Sequence, residues 1–178
     1  MIIIEELLSR TAQSAVVDSP ETDPLTEQDA LQEGQLIDMR FDAVHSRLGV
    51  IFELRNALQL LQGNTGVLIA HGVRNLTWMA EPRMTYRTAW SSVGSLPHCE
   101  NGIFLLDLPL SLAARFALVA TEVAFYIGDV ADIPGAHPDY TEDDATVKAG
   151  IAAWNSRFEV KSFPFIDATN RLAREFKT

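Results

Sequence analysis

From Leu36 onward the hydropathy of the chain alternates with a period of two, and that change of period decides the class of fold. Ile37, Met39 and Phe41 alternate with Asp38, Arg40 and Asp42, and Leu48, Val50, Phe52 and Leu54 alternate with Gly49, Ile51, Glu53 and Arg55. Successive side chains of a strand point to opposite faces, so each run is a strand with a core side and a second side. Val67 to Ala70, Leu76 with Trp78, Met84 to Trp90, Ile103 to Leu108 and Arg115 to Ile127 continue the series. Turn residues separate the runs: Gly63-Asn64-Thr65-Gly66, then Gly72 as a bulge or bend within a strand pair, then a turn-rich stretch through Gly94, Pro97, Asn101 and Gly102. About seven short strands over residues 36–127 predict an antiparallel β sandwich or flattened barrel.

The flanks obey other rules. Ile3, Ile4, Leu7, Leu8 and Ala12 fall near helical spacing, which predicts a short amphipathic helix over residues 2–12. Ser19-Pro20 and Asp23-Pro24 turn the stretch from Ser14 to Leu25 into an extended acidic linker. Thr26 offers a cap for a second short helix over Glu27 to Glu33, ahead of Gly34. Beyond the strands, Pro134-Gly135 and Pro138 mark a loop, Thr141 caps a helix through about Ala153 with Glu142, Asp143 and Asp144 in its first turn, and Asp167 to Phe176 reads as a last amphipathic helix. The expected fold is therefore α+β in a single domain over residues 1–178. Residues 1–35 form a helical and acidic lead-in, 36–127 the β unit, and 128–178 an acidic loop and helical tail.

The charge is unevenly placed. The chain carries 24 acids against 14 bases, a net charge of -10, and an isoelectric point near 4.7. Twelve of the acids lie in two base-free segments: Asp18, Glu21, Asp23, Glu27, Asp29 and Glu33, and then Asp129, Asp132, Asp139, Glu142, Asp143 and Asp144. Between Leu36 and Ile127 seven bases face seven acids, so the body is neutral. Binding a nucleic-acid backbone needs the opposite balance, and anionic membrane surfaces are disfavoured for the same reason. The second acidic segment is the candidate surface for a basic protein partner, and helix capping and solvation are its structural alternative.

No motif names a reaction. The sequence lacks a G-x-S-x-G elbow, a Walker loop, G-x-G-x-x-G, H-E-x-x-H and any paired C-x-x-C. His98 precedes Cys99 in what reads as a loop, and His45, His71 and His137 stand alone, so neither a catalytic cysteine nor a metal site is expected, and no cofactor is implied. Asp107, the one acid in an otherwise apolar run, together with His71 and His98, is what a site assembled from scattered residues would use. Trp78, Tyr86 and Trp90 could instead line a pocket for an apolar ligand, although packing between sheets accounts for them equally. A single cysteine, no basic leader before Glu5 and Glu6, and apolar runs shorter than the roughly 18 to 20 residues of a membrane span predict a cytoplasmic protein.

The run from Ile37 to Trp78 (IDMRFDAVHSRLGVIFELRNALQLLQGNTGVLIAHGVRNLTW) resembles the first half of small β-rich bacterial proteins of unknown function. It is also loosely similar to the β-sandwich immunity proteins of polymorphic toxin systems, a likeness that implies binding and blocking a toxin domain. No signature residue is carried across. Three functions stay open: a non-enzymatic protein that binds a basic partner, a small-molecule carrier, and an enzyme with a scattered site.

Overall fold

The computed structural model of the chain describes residues 1–10, 20–81 and 88–169. These carry two antiparallel sheets and two short helices, and neither sheet closes on itself. The larger sheet runs β1 (Ile2–Ile3), β11 (Arg157–Ser162), β10 (Glu122–Val130), β4 (Thr65–His71), β3 (Arg47–Glu53), β2 (Gln35–Asp42), β6 (Trp90–Ser91). Strand β12 (Phe165–Asp167) also pairs with β10, at the stretch that β11 leaves free. The smaller sheet runs β5 (Asn75–Met79), β9 (Ala114–Ala120), β8 (Ile103–Leu110), β7 (Leu96–Glu100). The helices are α1 (Ile4–Leu7) and α2 (Asp144–Ala149). No helix among the described residues is long and apolar enough to cross a membrane.

The sequences of β3, β4 and β10 explain the layering. Val50-Ile51-Phe52, Val67 to Ala70 and Val123 to Ile127 are apolar on both faces, as strands covered on both sides must be. One face shares a buried cluster with the smaller sheet, in which Val50, Phe52, Leu68 and Phe125 meet Phe104, Leu106, Phe116 and Leu118. Phe52 and Phe125 pack with ring centroids 5.7 Å apart. The other face, with Ile51, Val67, Ile69 and Tyr126, lies under Ile4, Leu7, Trp154 and Phe158. Gly49 makes room there, because a Cβ at that position would stand 2.7 Å from the Trp154 ring.

Several expectations change. The β unit is not confined to residues 36–127, since β1, β11 and β12 add both ends of the described chain to the larger sheet. The helix expected over 2–12 is reduced to Ile4–Leu7 because Ile2 and Ile3 are drawn into pairing with β11. Residues 27–33 form turns rather than a helix, and Asp29 and Glu33 adopt positive φ, which a right-handed helix does not admit. Helix α2 is shorter than expected, and its cap is Asp143 rather than Thr141. Of the expected helix from Asp167 to Phe176, Asp167 ends β12, Ala168 and Thr169 are helical, and residues 170–176 lie outside the described residues, as does most of the expected strand Met84 to Trp90.

The run from Arg115 to Ile127 is two strands in two sheets, broken at Thr121. Gly72 is likewise a crossing between sheets rather than a bulge within a pair, and the two crossings touch. The Thr121 backbone N–H and hydroxyl both donate to the His71 carbonyl at 3.2 Å, and a Cβ on Gly72, with φ near 59°, would meet the Thr121 Oγ1 at 2.1 Å.

Gly63 tests this packing. A Cβ there would sit 2.3 Å from the backbone oxygen of Gly128, itself at a register shift between β10 and β11. Backbone on both sides leaves nothing to swing aside, so Gly63→Ala is expected to lower stability by about 1–3 kcal/mol in chemical denaturation.

Candidate functional site

A β-bulge opens a substantial recess among the described residues. Leu36 pairs with Phe52 and Asp38 with Ile51, so Ile37 has no partner in β3. An extra residue bends a strand and re-aims its neighbours, and here Leu36 and Ile37 both reach the same groove. Ala89 and Trp90 at β6 form a second wall, and Asp144, Val147, Lys148 and Ile151 a third. Those last four stand at i, i+3, i+4 and i+7, one side of α2 and its C-terminal extension. Tyr140 and Thr88 complete the lining of an open groove of about 320 Å³.

A buried ion pair fixes the third wall in place. Glu53 and Arg55 are 1% and 9% exposed at their side chains. The Arg55 guanidinium donates from Nε and Nη2 to the two Glu53 carboxylate oxygens at 2.7 and 2.5 Å. It also donates to the carbonyls of Pro134, Ala136 and Gly150, the last two each at 2.6 Å. The loop at 134–136 and the C-terminal end of α2 are thereby tied to the end of β3. Tyr140 adds a third tie, donating to the Gln35 Oε1 at 2.8 Å. Burial, with Glu53 nearby and Arg55 opposing, pushes the Tyr140 phenol up to about 12.

The acidic residues are spread over different tasks. Asp129 accepts from the Asn64 backbone N–H at 3.0 Å and pairs with Lys161. Asp139 accepts from the Thr141 hydroxyl and backbone N–H at 2.7 and 2.8 Å. Asp143 caps α2, accepting from the Thr146 hydroxyl and from the backbone N–H groups of Thr146 and Ala145. These bonds, the threonine hydroxyls foremost, hold both carboxyls below the usual aspartate range and keep them charged. Asp132 and Glu142 are exposed, and Asp144 lines the groove.

The aromatic set is divided as well. Trp78 and Trp90 meet edge to face with centroids 5.5 Å apart, yet only Trp90 lines the groove, and Tyr86 lies outside the described residues. Trp90 also packs against the buried cluster shared by the two sheets.

The scattered residues do not converge on one cleft. His71 ends β4 in the larger sheet, with its Nε2 buried and without a partner among the described residues. Burial, aided by Arg47 and opposed by Glu122, lowers its pKa. His98 and Asp107 belong to the smaller sheet, where His98 is exposed beside Glu100 and Asp107 forms a bidentate pair with Arg115 at 2.7 and 2.6 Å. Cys99 lies on β7 rather than in a loop, so it and His98 point to opposite faces. Among the described residues no three His, Cys, Asp or Glu side chains gather as a metal site would need.

Sequence reasoning missed Leu36, Ile37, Val147 and Ile151 as site residues. The spacing of Asp144, Val147, Lys148 and Ile151 carried a signal for one wall; nothing in the sequence marked the bulge. No family model matches this chain, and neither a curated protein nor a solved structure matches it.

Two measurements check this construction. Arg55→Met leaves the buried Glu53 carboxylate unpaired and should cost about 3–5 kcal/mol, much of it recovered in the Glu53→Gln/Arg55→Met double variant, as read by denaturant unfolding. A phenol whose pKa is raised on folding gives stability that is complete below the unfolded value near 10 and is lost as pH rises toward 12. Stability should therefore fall more steeply from pH 10 to 12 in the native chain than in Tyr140→Phe.

Proposed function

We propose that the protein is a non-enzymatic binding module whose groove takes a segment of another polypeptide, apolar at its centre and basic at its flank. The carrying observation is the juxtaposition of the two chemistries. Leu36, Ile37, Trp90, Val147 and Ile151 offer an apolar floor, and the adjoining turn exposes Glu142 beside Asp139 and Asp143, whose carboxyls are held charged. Apolar contact supplies affinity, and the carboxylates favour the encounter with a cation-bearing chain. In its most concrete form the partner is a toxin domain that the bound protein blocks, the role the sequence resemblance implies.

The buried apolar cluster shared by two open sheets supports a sandwich over a barrel. It also argues against a carrier that holds its cargo between the sheets. The groove volume lies within the range of small-ligand sites, which favours a small apolar molecule as the second reading.

Capture from lysate by the immobilised chain, at about 50 mM and about 500 mM salt, tests the proposal. A partner should be held at low salt and weakened at high salt. Capture should fall at least tenfold in both Val147→Arg, which places a cation in the groove, and Glu142→Lys. A partner held equally by all three proteins would overturn the groove as the site, and capture of nothing would overturn protein binding itself.

A further inference from the structure

Ionisable side chains stand in a row across one end of the larger sheet. Register sets Asp42 of β2 opposite Arg47 of β3, Arg47 opposite His71 of β4, His71 opposite Glu122 of β10, and Glu122 opposite Asp167 of β12. Residues opposite one another across antiparallel strands share a face, and this is the face on which Ile4 and Leu7 lie. The chain beyond α1 crosses the row. Arg47 Nη1 donates to the Leu8 carbonyl at 3.4 Å, and Arg10 shares a recess of about 10 Å³ with His71, Glu122, Tyr126 and Phe165.

His71 is the member of this row whose charge can change near neutrality. Its side chain is half-buried, and its Nε2 is fully buried with no hydrogen-bond partner among the described residues. A neutral imidazole tolerates that, because one of its nitrogens carries only a lone pair. An imidazolium carries N–H on both nitrogens, and a buried N–H without an acceptor is costly. The recess has room for about one water molecule, so it can register a proton but not a ligand.

The surrounding charges act in the same sense. A proton on His71 sets a further cation beside Arg47 and Arg10, and Glu122 is the carboxylate next to it. Asp167 is engaged by Thr169, and Asp42 by His45. Burial raises the Tyr126 phenol above its ordinary value, so it stays neutral.

We infer that His71 is a proton-operated latch on the N-terminal segment: the neutral ring lets residues 2–10 lie on the sheet, and the protonated ring loosens them by turning toward Glu122 and setting its charge against Arg47 and Arg10. The segment is suited to release. It is held by the pairing of Ile2 and Ile3 with β11, by the Ile4 and Glu5 N–H groups donating to the Ser156 and Trp154 carbonyls at 3.1 and 2.8 Å, and by the buried Ile4 and Leu7. Small elements with few contacts open at lower free energy than the whole fold. Burial, aided by Arg47 and opposed by Glu122, lowers the His71 pKa from its ordinary 6.5. The hold is therefore complete above 6.5 and is lost as pH falls below it. The latch is independent of the groove, which lies at β2, β6 and α2.

Nuclear magnetic resonance on the full chain tests it. The His71 ring protons should titrate below 6.5. Protection of the Ile4 and Glu5 amides from hydrogen exchange should fall between about pH 8 and about pH 5, about tenfold for each unit by which His71 titrates below its ordinary value. At about pH 8 that protection should already lie below that of the Phe125 amide in β10, which marks opening of the segment rather than of the whole fold. In His71→Gln the protection should stay level; His45 titrates in both proteins, so the comparison removes it. Glu122→Gln takes away the opposing carboxylate and should lower the His71 titration further and enlarge the loss of protection, which keeps the test decisive if His71→Gln fails to fold. A His71 that titrates at or above 6.5 overturns the latch. So does protection that is level with Phe125, unchanged by pH, or equally pH-dependent in His71→Gln.

Discussion

Arg55 holds together parts of this protein that lie far apart in the chain. Its guanidinium is spent on Glu53 beside it and on carbonyls from residues 134, 136 and 150. A loop rich in proline and glycine makes few backbone bonds of its own, and the buried cation replaces them. Taking Arg55 and Glu53 out of water is costly, and such a pair is tolerable only when its hydrogen-bonding capacity is used, as it is here. The groove depends on this arrangement. Its α2 wall is anchored at Gly150, just beyond the helix, and the start of that wall at Tyr140, whose hydroxyl reaches Gln35.

Other long-range ties share this character. Asp29 and Ser95 exchange bonds in both directions, the Asp29 backbone N–H donating to the Ser95 carbonyl and the Ser95 N–H to the Asp29 carboxylate. That holds the turn over 25–33 against the start of β7. Asn64 bridges to β10 in the same two-way fashion, donating to the Val130 carbonyl and accepting from the Val130 N–H. Trp154 donates to Asp38 at 2.8 Å and lies beneath the Arg40 guanidinium. Polar residues at the ends of strands thus join segments whose apolar contacts alone would not fix their register.

These ties also mark where the sequence could be read. The strands β2 and β3 were legible because one side of each alternates cleanly, and the apolar runs of β4 and β8 because they are short and bounded by turn residues. Residues 157–162 alternate too, but only Phe158 and Val160 carry the apolar phase, too short a signal to stand out. The turn at 27–33 imitated a helix through Thr26 and its acids, and the competing bond from Asp29 to Ser95 is 66 residues away. Of the groove, Trp90 and Asp144 were legible as chemically unusual residues. Leu36 and Ile37 were not, because their role comes from a bulge, and Arg55 was not, because its partners are backbone carbonyls, which every residue possesses.

The order of strands in the larger sheet has a bearing on how the chain reaches this state. Strand β4 lies between β3, which it follows directly, and β10, more than 50 residues later, and β1 waits for β11 from the far end of the described chain. During synthesis Val67 to Ala70 therefore emerge with one edge unpaired and both faces bare until the rest of the sheet is made. Such non-local pairing slows folding and prolongs the exposure of sticky strands. The excess of carboxylates in the chain then gains a second use, as charge that keeps unfinished chains apart while the last strands arrive.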